Sequence, residues 1–220
     1  MIVVIGDIVA SKKLGNSDRK RAQELLTRKF KEINKSSESI ISPYTITLGD
    51  EFQAVYHDAS TILEDCWNII AELYPIMIRF SISAGTIVTP INTKQALAMD
   101  GPAFYNARDG INELKASGYL FGLNVEQISG EPQNNPVLNL VNHSLQLLSV
   151  EMQSWKKVRH QVLVMLLKGI PIKEIAAKLG VSLVAVYKNR DDGELDLVMN
   201  LKESITEVIN NELIKEEAEE

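Results

Sequence analysis

A single cysteine, Cys66, in 220 residues leaves no partner for an intrachain disulfide. It lies among apolar residues at helical spacing, which predicts a small buried hydrophobe rather than a reactive thiol. Long apolar runs are missing too. The first, Ile2 to Ile5, is too short for a signal peptide or a membrane span, and no later run is long enough. The expected location is therefore the cytoplasm, with no membrane partner. No internal repeat is present, which excludes a repeat array. Positive charge is in deficit, with a net charge of -6. The deficit is uneven. Residues 151–190 hold eight Lys/Arg against two acidic residues, whereas residues 191–220 hold two Lys against eleven. The overall acidity hides a basic island, and a nucleic-acid contact is expected there.

What is present suits one large or two small domains. An apolar fraction of 45% supplies a core of normal size, so no metal or disulfide staple is needed. Ile2-Val3-Val4-Ile5 reads as a central strand buried on both faces. From Ser17 a helix is predicted, with Ala22, Leu25, Leu26, Phe30 and Ile33 on one face and Ser17 or Asp18 as cap. Tyr44 to Leu48 alternates as a half-buried strand, Gly49-Asp50 breaks it, and Phe52 to Tyr56 resumes it as a hairpin. Asp58 or Ser60 caps a second helix carrying Ile62, Leu63, Cys66, Ile69, Ile70 and Leu73, ended by Pro75. Ile78 to Ala84 alternates again. The order is β-α-β-β-α-β, a ferredoxin-like or split βαβ unit. A third helix is predicted over Pro102–Ser117 with Gly118 after it, then a strand over Tyr119–Val125. Glu131 to Pro136 reads as a linker, and beyond it everything reads as helical, down to an acidic end at Lys215–Glu220. Trp67 and Trp155 are expected to fill core positions.

Two acidic motifs, Gly6-Asp7-Ile8-Val9 and Gly49-Asp50-Glu51-Phe52, fall at the ends of strands expected to be neighbours. Carboxylates converging on one spot repel unless a cation sits between them. Hard oxygens at that density suit Mg²⁺ or Mn²⁺, which in turn carries nucleotide phosphates. Ser11, Lys12 and Lys13 follow directly and offer backbone N–H groups and ammonium charge to phosphate. Gly-Asp pairs also suit plain turns, and single Lys residues also suit solvated surface.

Gly6-Asp7-Ile8-Val9-Ala10-Ser11 resembles the first-strand motif of class III nucleotidyl cyclases. Thr47 to Phe52 is similar to the cyclase hairpin, and its last four residues also match the GGDEF motif of diguanylate cyclases. Arg79 to Gly85 resembles the cyclase strand that precedes a Gly. Gly101 to Arg108 sits where those enzymes carry their Asn and Arg helix. With the C-terminal tail, the four motifs in this order are most similar to the SatD family, over roughly residues 1–190. The cyclase resemblance implies Asp7, Asp50 and Glu51 as metal ligands and Arg108 as a phosphate partner. It departs at two places. Ile46 stands where adenylyl cyclases have a base-selecting Lys, and Phe104 where they have a transition-state Asn, with Asn106 two places out of register.

Pro171 to Ser182 resembles the helix-turn-helix of bacterial regulators and sigma factors. Ala176, Gly180 and Val186 fill the small, left-handed and branched positions, and Ser182 caps the second helix. The recognition helix would offer Ser182, Tyr187, Lys188, Asn189 and Arg190 to DNA. Asp191, Asp192 and Glu194 oppose such a contact, and these units also serve as packing modules. Leu197, Leu201, Ile205, Val208 and Ile209 mark a last helix that packs on this unit or forms a homodimer seam.

The expected class is therefore α+β. A ferredoxin-like, cyclase-like palm domain spans residues 1–130, followed by an all-α helix-turn-helix domain over residues 131–220. The expected function is a regulator whose metal- and nucleotide-binding palm is coupled to DNA. The alternative is an active metal-dependent nucleotidyl cyclase or nucleotidyltransferase, with Glu51 and Arg108 catalytic and the C-terminal part a dimerisation module. A third possibility is a palm that serves only protein contacts.

Overall fold

A computed structural model describes residues 1–126 and 135–214. Five strands, β1 (Ile2–Ile8), β2 (Ile40–Leu48), β3 (Glu51–Tyr56), β4 (Ile78–Ala84) and β5 (Phe121–Val125), form one sheet in the order β2-β3-β1-β4-β5. Neighbours among the first four are antiparallel, and β5 joins β4 in parallel. Helices α1 (Asn16–Ser36) and α2 (Ile62–Leu73) make the two split crossovers, so β3 lies between β1 and β2, and β1 between β3 and β4. The β-α-β-β-α-β order is thus present. α3 (Pro102–Ser117) leads into β5 and ends at Gly118, whose φ of 82° needs no Cβ. A mixed α+β architecture follows.

Strand alternation sends β1 residues to two faces. Ile2, Val4 and Ile8 join the larger apolar cluster under α1 and α2; Val3 and Ile5 join a smaller one with Ala103, Phe104, Ala107 and Ile111 of α3. Phe30, Tyr44, Phe52, Phe80 and Phe121 run through the larger cluster as a chain of ring contacts. Cys66, Trp67 and Trp155 are buried in it, as their spacing predicts.

The rest is helical: α4 (Pro136–Ser154), α5 (Lys157–Leu167), α6 (Ile172–Leu179), α7 (Leu183–Asp192) and α8 (Leu195–Val208), which runs on as a π-helical turn over Ile209–Leu213. These helices share the larger cluster, because α2 packs on α5 and is buried nearly all round. The Ala59 N–H also donates to Asn210 Oδ1 at 2.8 Å. The boundary expected at residue 130 falls outside the described residues. α4 covers the outer edge of β5. Asn142 pairs with both backbone groups of Leu123 at 2.8 Å, and Ser149 Oγ accepts from the N–H groups of Leu120 and Phe121. A free strand edge would invite pairing with another chain, and these polar side chains close it.

Two expected details differ. α1 starts at Asn16 after Gly15, with no side-chain cap from Ser17 or Asp18. α2 starts after Thr61, again with no side-chain cap, while Asp58 bonds Ser39 and Ser60 in the loop before it. Of the apolar positions expected on the last helix, Ile205 and Ile209 are buried within the chain, in line with the packing alternative, while Leu197 is exposed.

Asp65 and His160 are enclosed without an ion pair among the described residues. Asp65 accepts from Tyr56 Oη at 3.0 Å and Thr61 Oγ1 at 3.1 Å, yet burial pushes its pKa up to about 6. His160 lies between the rings of Tyr74 and Trp155, at 5.6 and 5.4 Å. Burial pushes its pKa down to about 4, with the Arg159 charge acting the same way. The Met152 carbonyl opposes the shift, but no bond of good geometry to either ring nitrogen forms.

Candidate functional site

The two acidic motifs meet in register. Gly6 is paired with Phe52 and Asp7 with Glu51 across β1 and β3. The glycine is a requirement of space, since a Cβ there would lie 2.2 Å from Phe52 Cζ. The Phe52 ring therefore covers Gly6 on one face, and Asp7 and Glu51 share the other, as directly opposed residues do. On the far side of β1, Arg79 of β4 is also paired with Asp7. Glu51, Asp7 and Arg79 thus form a row across three strands.

α3 lies over this row. A Cβ on Gly110 would come within 2.2 Å of Ser81 Oγ, so the helix backbone sits close to the sheet. Arg108 and Lys115, two turns apart on α3, flank that approach. Arg79 Nη1 donates to Asp7 Oδ2 at 2.8 Å, and Lys115 Nζ lies 3.1 Å from Asp7 Oδ1. Arg108 Nη1 donates to Glu51 Oε1 at 2.7 Å. Asp7 is only 4% exposed, so both its oxygens are committed to cations in a largely dry setting. Arg79 Nε is buried without a hydrogen-bond partner.

The expected site residues fare differently. Asp7, Glu51 and Arg108 are brought together. Asp50 stands at the hairpin tip after Gly49, whose φ is 62°. Its carbonyl accepts from the Ile8 N–H at 3.4 Å, while its carboxylate has no partner among the described residues. Ser11, Lys12 and Lys13 form a short 3-10 turn just beyond β1, and the Ser11 carbonyl accepts from Arg19 Nη2 at 3.1 Å. Among the described residues no three His, Cys, Asp or Glu side chains gather where they would hold a metal ion. The expected convergence of Asp7, Asp50 and Glu51 is replaced by carboxylate–cation pairs, because Arg79 and Lys115 reach Asp7 from β4 and α3. Those two residues were missed in the sequence. The polar phase of Arg79 in β4, and Lys115 seven places after Arg108, were the available signals.

Ile46 and Phe104 are packing residues. Ile46 is half-buried at a shallow groove of about 640 Å³ along α1, beside Lys20, Gln23, Thr27, Arg28 and Lys31. Phe104 is buried with Val3, Ile5 and Ile111. A second groove, of about 340 Å³, lies between α3, β5 and α4, away from the charged row, with Glu113, Asn124, Asn142, His143 and Gln146 on its walls.

In the C-terminal half, α6 and α7 are joined by Gly180-Val181-Ser182. Gly180 has φ 65°, and the Ala185 N–H donates to Ser182 Oγ at 3.1 Å, as the sequence predicts. Ile175, Ala176 and Val186 are buried at the contact. Tyr187 and Lys188 are exposed. Asn189 instead donates to the Ala185 carbonyl at 2.8 Å, and Arg190 grips Asp196 through Nε and Nη2. The reason is local. Asn189 satisfies a carbonyl of its own helix, and Asp196 in the first turn of α8 draws the guanidinium away from the outer face.

The fold and site define an α+β protein with a split-crossover sheet and a paired charge cluster at one end of its central strand. The chain belongs to the SatD family, whose model matches residues 1–209. A search of curated proteins finds no match. Among solved structures, that of a bacterial light-regulated adenylyl cyclase matches at 17% identity and a TM-score of 0.41, over 56% of this chain and 73% of that one. A match of that strength says nothing about activity. No helix among the described residues is long and apolar enough to cross a membrane.

Proposed function

We propose that this SatD-family protein binds a nucleotide by its phosphates at the Glu51–Asp7–Arg79 row and contacts DNA through α7. The observation that carries the first part is the pairing of two sheet carboxylates with Arg79, Arg108 and Lys115. A polyphosphate offers these cations more negative charge than the carboxylates do, and planar guanidinium groups suit its oxygens. Lys12 and Lys13 stand ready at the same end of β1. The carboxylates present are not a ready cation cage, so Mg²⁺ or Mn²⁺ enters this reading only with the nucleotide. Its part would be to neutralise phosphate charge beside Asp7, Asp50 and Glu51. The apolar Ile46 and Phe104 speak against turnover as a cyclase. Calorimetric titration with nucleoside triphosphates and Mg²⁺ is expected to give saturable heat, with affinity at least about tenfold weaker in Arg108→Ala. Heat absent for every triphosphate, in wild type and in Asp50→Ala alike, ends the proposal.

The DNA contact rests on the α6–α7 turn, the Ser182 cap and the exposed Tyr187 and Lys188. Asn189 and Arg190 would have to leave their present partners to take part. Electrophoretic shifts are expected at low salt and lost at moderate salt, and Lys188→Ala is expected to weaken them. A shift that ignores salt, or none, counts against it.

A further inference from the structure

The outer face of α4 is apolar although its inner face already packs on the core. Val141, Leu145, Leu148 and Met152 point inward and are buried. On the opposite side Val137 is 40% exposed, Leu140 68%, Leu147 70% and Val150 56%. A helix that is apolar on both sides is expected to lie between two layers, and here the second layer is missing among the described residues. We infer that a second copy of this chain supplies it, with the two α4 helices packed antiparallel about a two-fold axis.

The spacing names the partner. Leu140 and Leu147 each lie three positions from the His143–Ser144 bond, and Val137 and Val150 each lie six. In an antiparallel pair centred there, Leu140 of one copy meets Leu147 of the other, and Val137 meets Val150. Like faces like in size as well as in position. This is the self-complementarity that a two-fold interface requires, where residue i meets j and j meets i. The small Ser144 next to the axis lets the helices approach, and its hydroxyl is already turned to the Leu140 carbonyl at 2.9 Å. Charge agrees. The 19-residue helix carries one acidic residue, Glu151, one histidine, the exposed His143 beside the axis, and no Lys or Arg, so two copies of a net acidic chain meet here with little repulsion. A foreign partner would have no reason to match this internal symmetry.

A single helix pair lies near the lower size limit for specific interfaces, about 1,000 Å² in total. The dimer is therefore expected to dissociate on dilution. Light scattering and sedimentation of the full chain should show twice the chain mass at high concentration, falling towards the chain mass as it is diluted. Leu140→Glu and Leu147→Glu should each give monomer throughout, with an unchanged far-ultraviolet spectrum because both positions are exposed. Leu140→Lys combined with Leu147→Glu should restore the dimer, since each introduced lysine then meets the other copy's introduced glutamate. A wild type that is monomeric at every concentration overturns the inference, as does a dimer that Leu140→Glu leaves intact. So does a double variant that stays monomeric, which would exclude the antiparallel register.

Discussion

Asp7→Ala is expected to destabilise the protein by about 3–5 kcal/mol, the usual cost of removing one partner from a buried ion pair. The loss comes less from the missing attraction than from what is left behind. Arg79 keeps a guanidinium whose side chain is only 13% exposed and whose Nε already has no hydrogen-bond partner. Lys115 is 44% exposed and can turn its ammonium to water. Glu51→Ala makes the contrast. It strands only Arg108, which is 52% exposed, so its cost is expected below about 1 kcal/mol. Asp7→Ala with Arg79→Met should recover most of the loss, because an apolar pair does not need the bond. Urea midpoints of the four proteins decide it. Equal, small shifts for Asp7→Ala and Glu51→Ala would mean that the row is not held as described. The energetics also bear on the proposed ligand. A nucleotide that takes Arg108 disturbs little of the fold, whereas one that takes Arg79 must compensate Asp7 as well.

The second large effect concerns pH. His160 has its folded pKa near 4 against 6.5 for a free histidine. Between those values the unfolded chain binds more proton than the folded one, so this group's stability contribution is full above pH 6.5 and is lost as pH falls to about 4. Asp65 has its folded pKa near 6 against 3.8. Here the folded chain binds more proton, so stability falls as pH rises from 3.8 to about 6. Each shift is worth about 3 kcal/mol at full extent. The two slopes oppose each other over nearly the same window, and in the wild type they largely cancel. Asp65→Asn should therefore gain stability relative to wild type as pH rises from 4 to 6. A His160→Leu variant should show the reverse, losing ground relative to wild type as pH rises through that window. Differences from wild type isolate the two groups, since Glu32, Asp58 and Asp196 keep their lowered pKa in all three proteins. Variant curves that run parallel to the wild type would show that neither group titrates as its burial dictates.

The pH effect resides in residues that the sequence marks only faintly. Asp65 and His160 read as ordinary members of amphipathic helices. Nothing local says that the Tyr74 and Trp155 rings close over His160, or that Asp65 ends up beneath Thr61. The Asp7 row is legible in part. Asp7 and Glu51 were legible because each lies at a strand end within two residues of a glycine, and Gly6 and Phe52 lock the register between them. Arg79 was visible only as the polar phase of an alternating strand, and Lys115 as one lysine on α3. The turn between α6 and α7 falls where the sequence puts it, at Gly180 and Ser182, where backbone conformation and capping are local. Asn189 and Arg190 of α7 bond Ala185 and Asp196, partners that are also near in sequence. There two bonds compete, and the chain order does not say which one wins.

By itself the sequence determined the strand and helix order, the cap at Ser182, the turns at Gly49, Gly118 and Gly180, and the meeting of the two Gly-Asp motifs. These follow from periodicity and from backbone conformations that particular residues favour, both of which act within a few positions. Only the tertiary structure decided that Asp7 faces Arg79 and Lys115 rather than two further carboxylates. It alone showed that Ile46 and Phe104 pack, and that α4 is apolar on a face left uncovered. Those outcomes depend on which strand lies beside which and how close α3 comes to the sheet, and they are set by packing between residues as many as 108 positions apart.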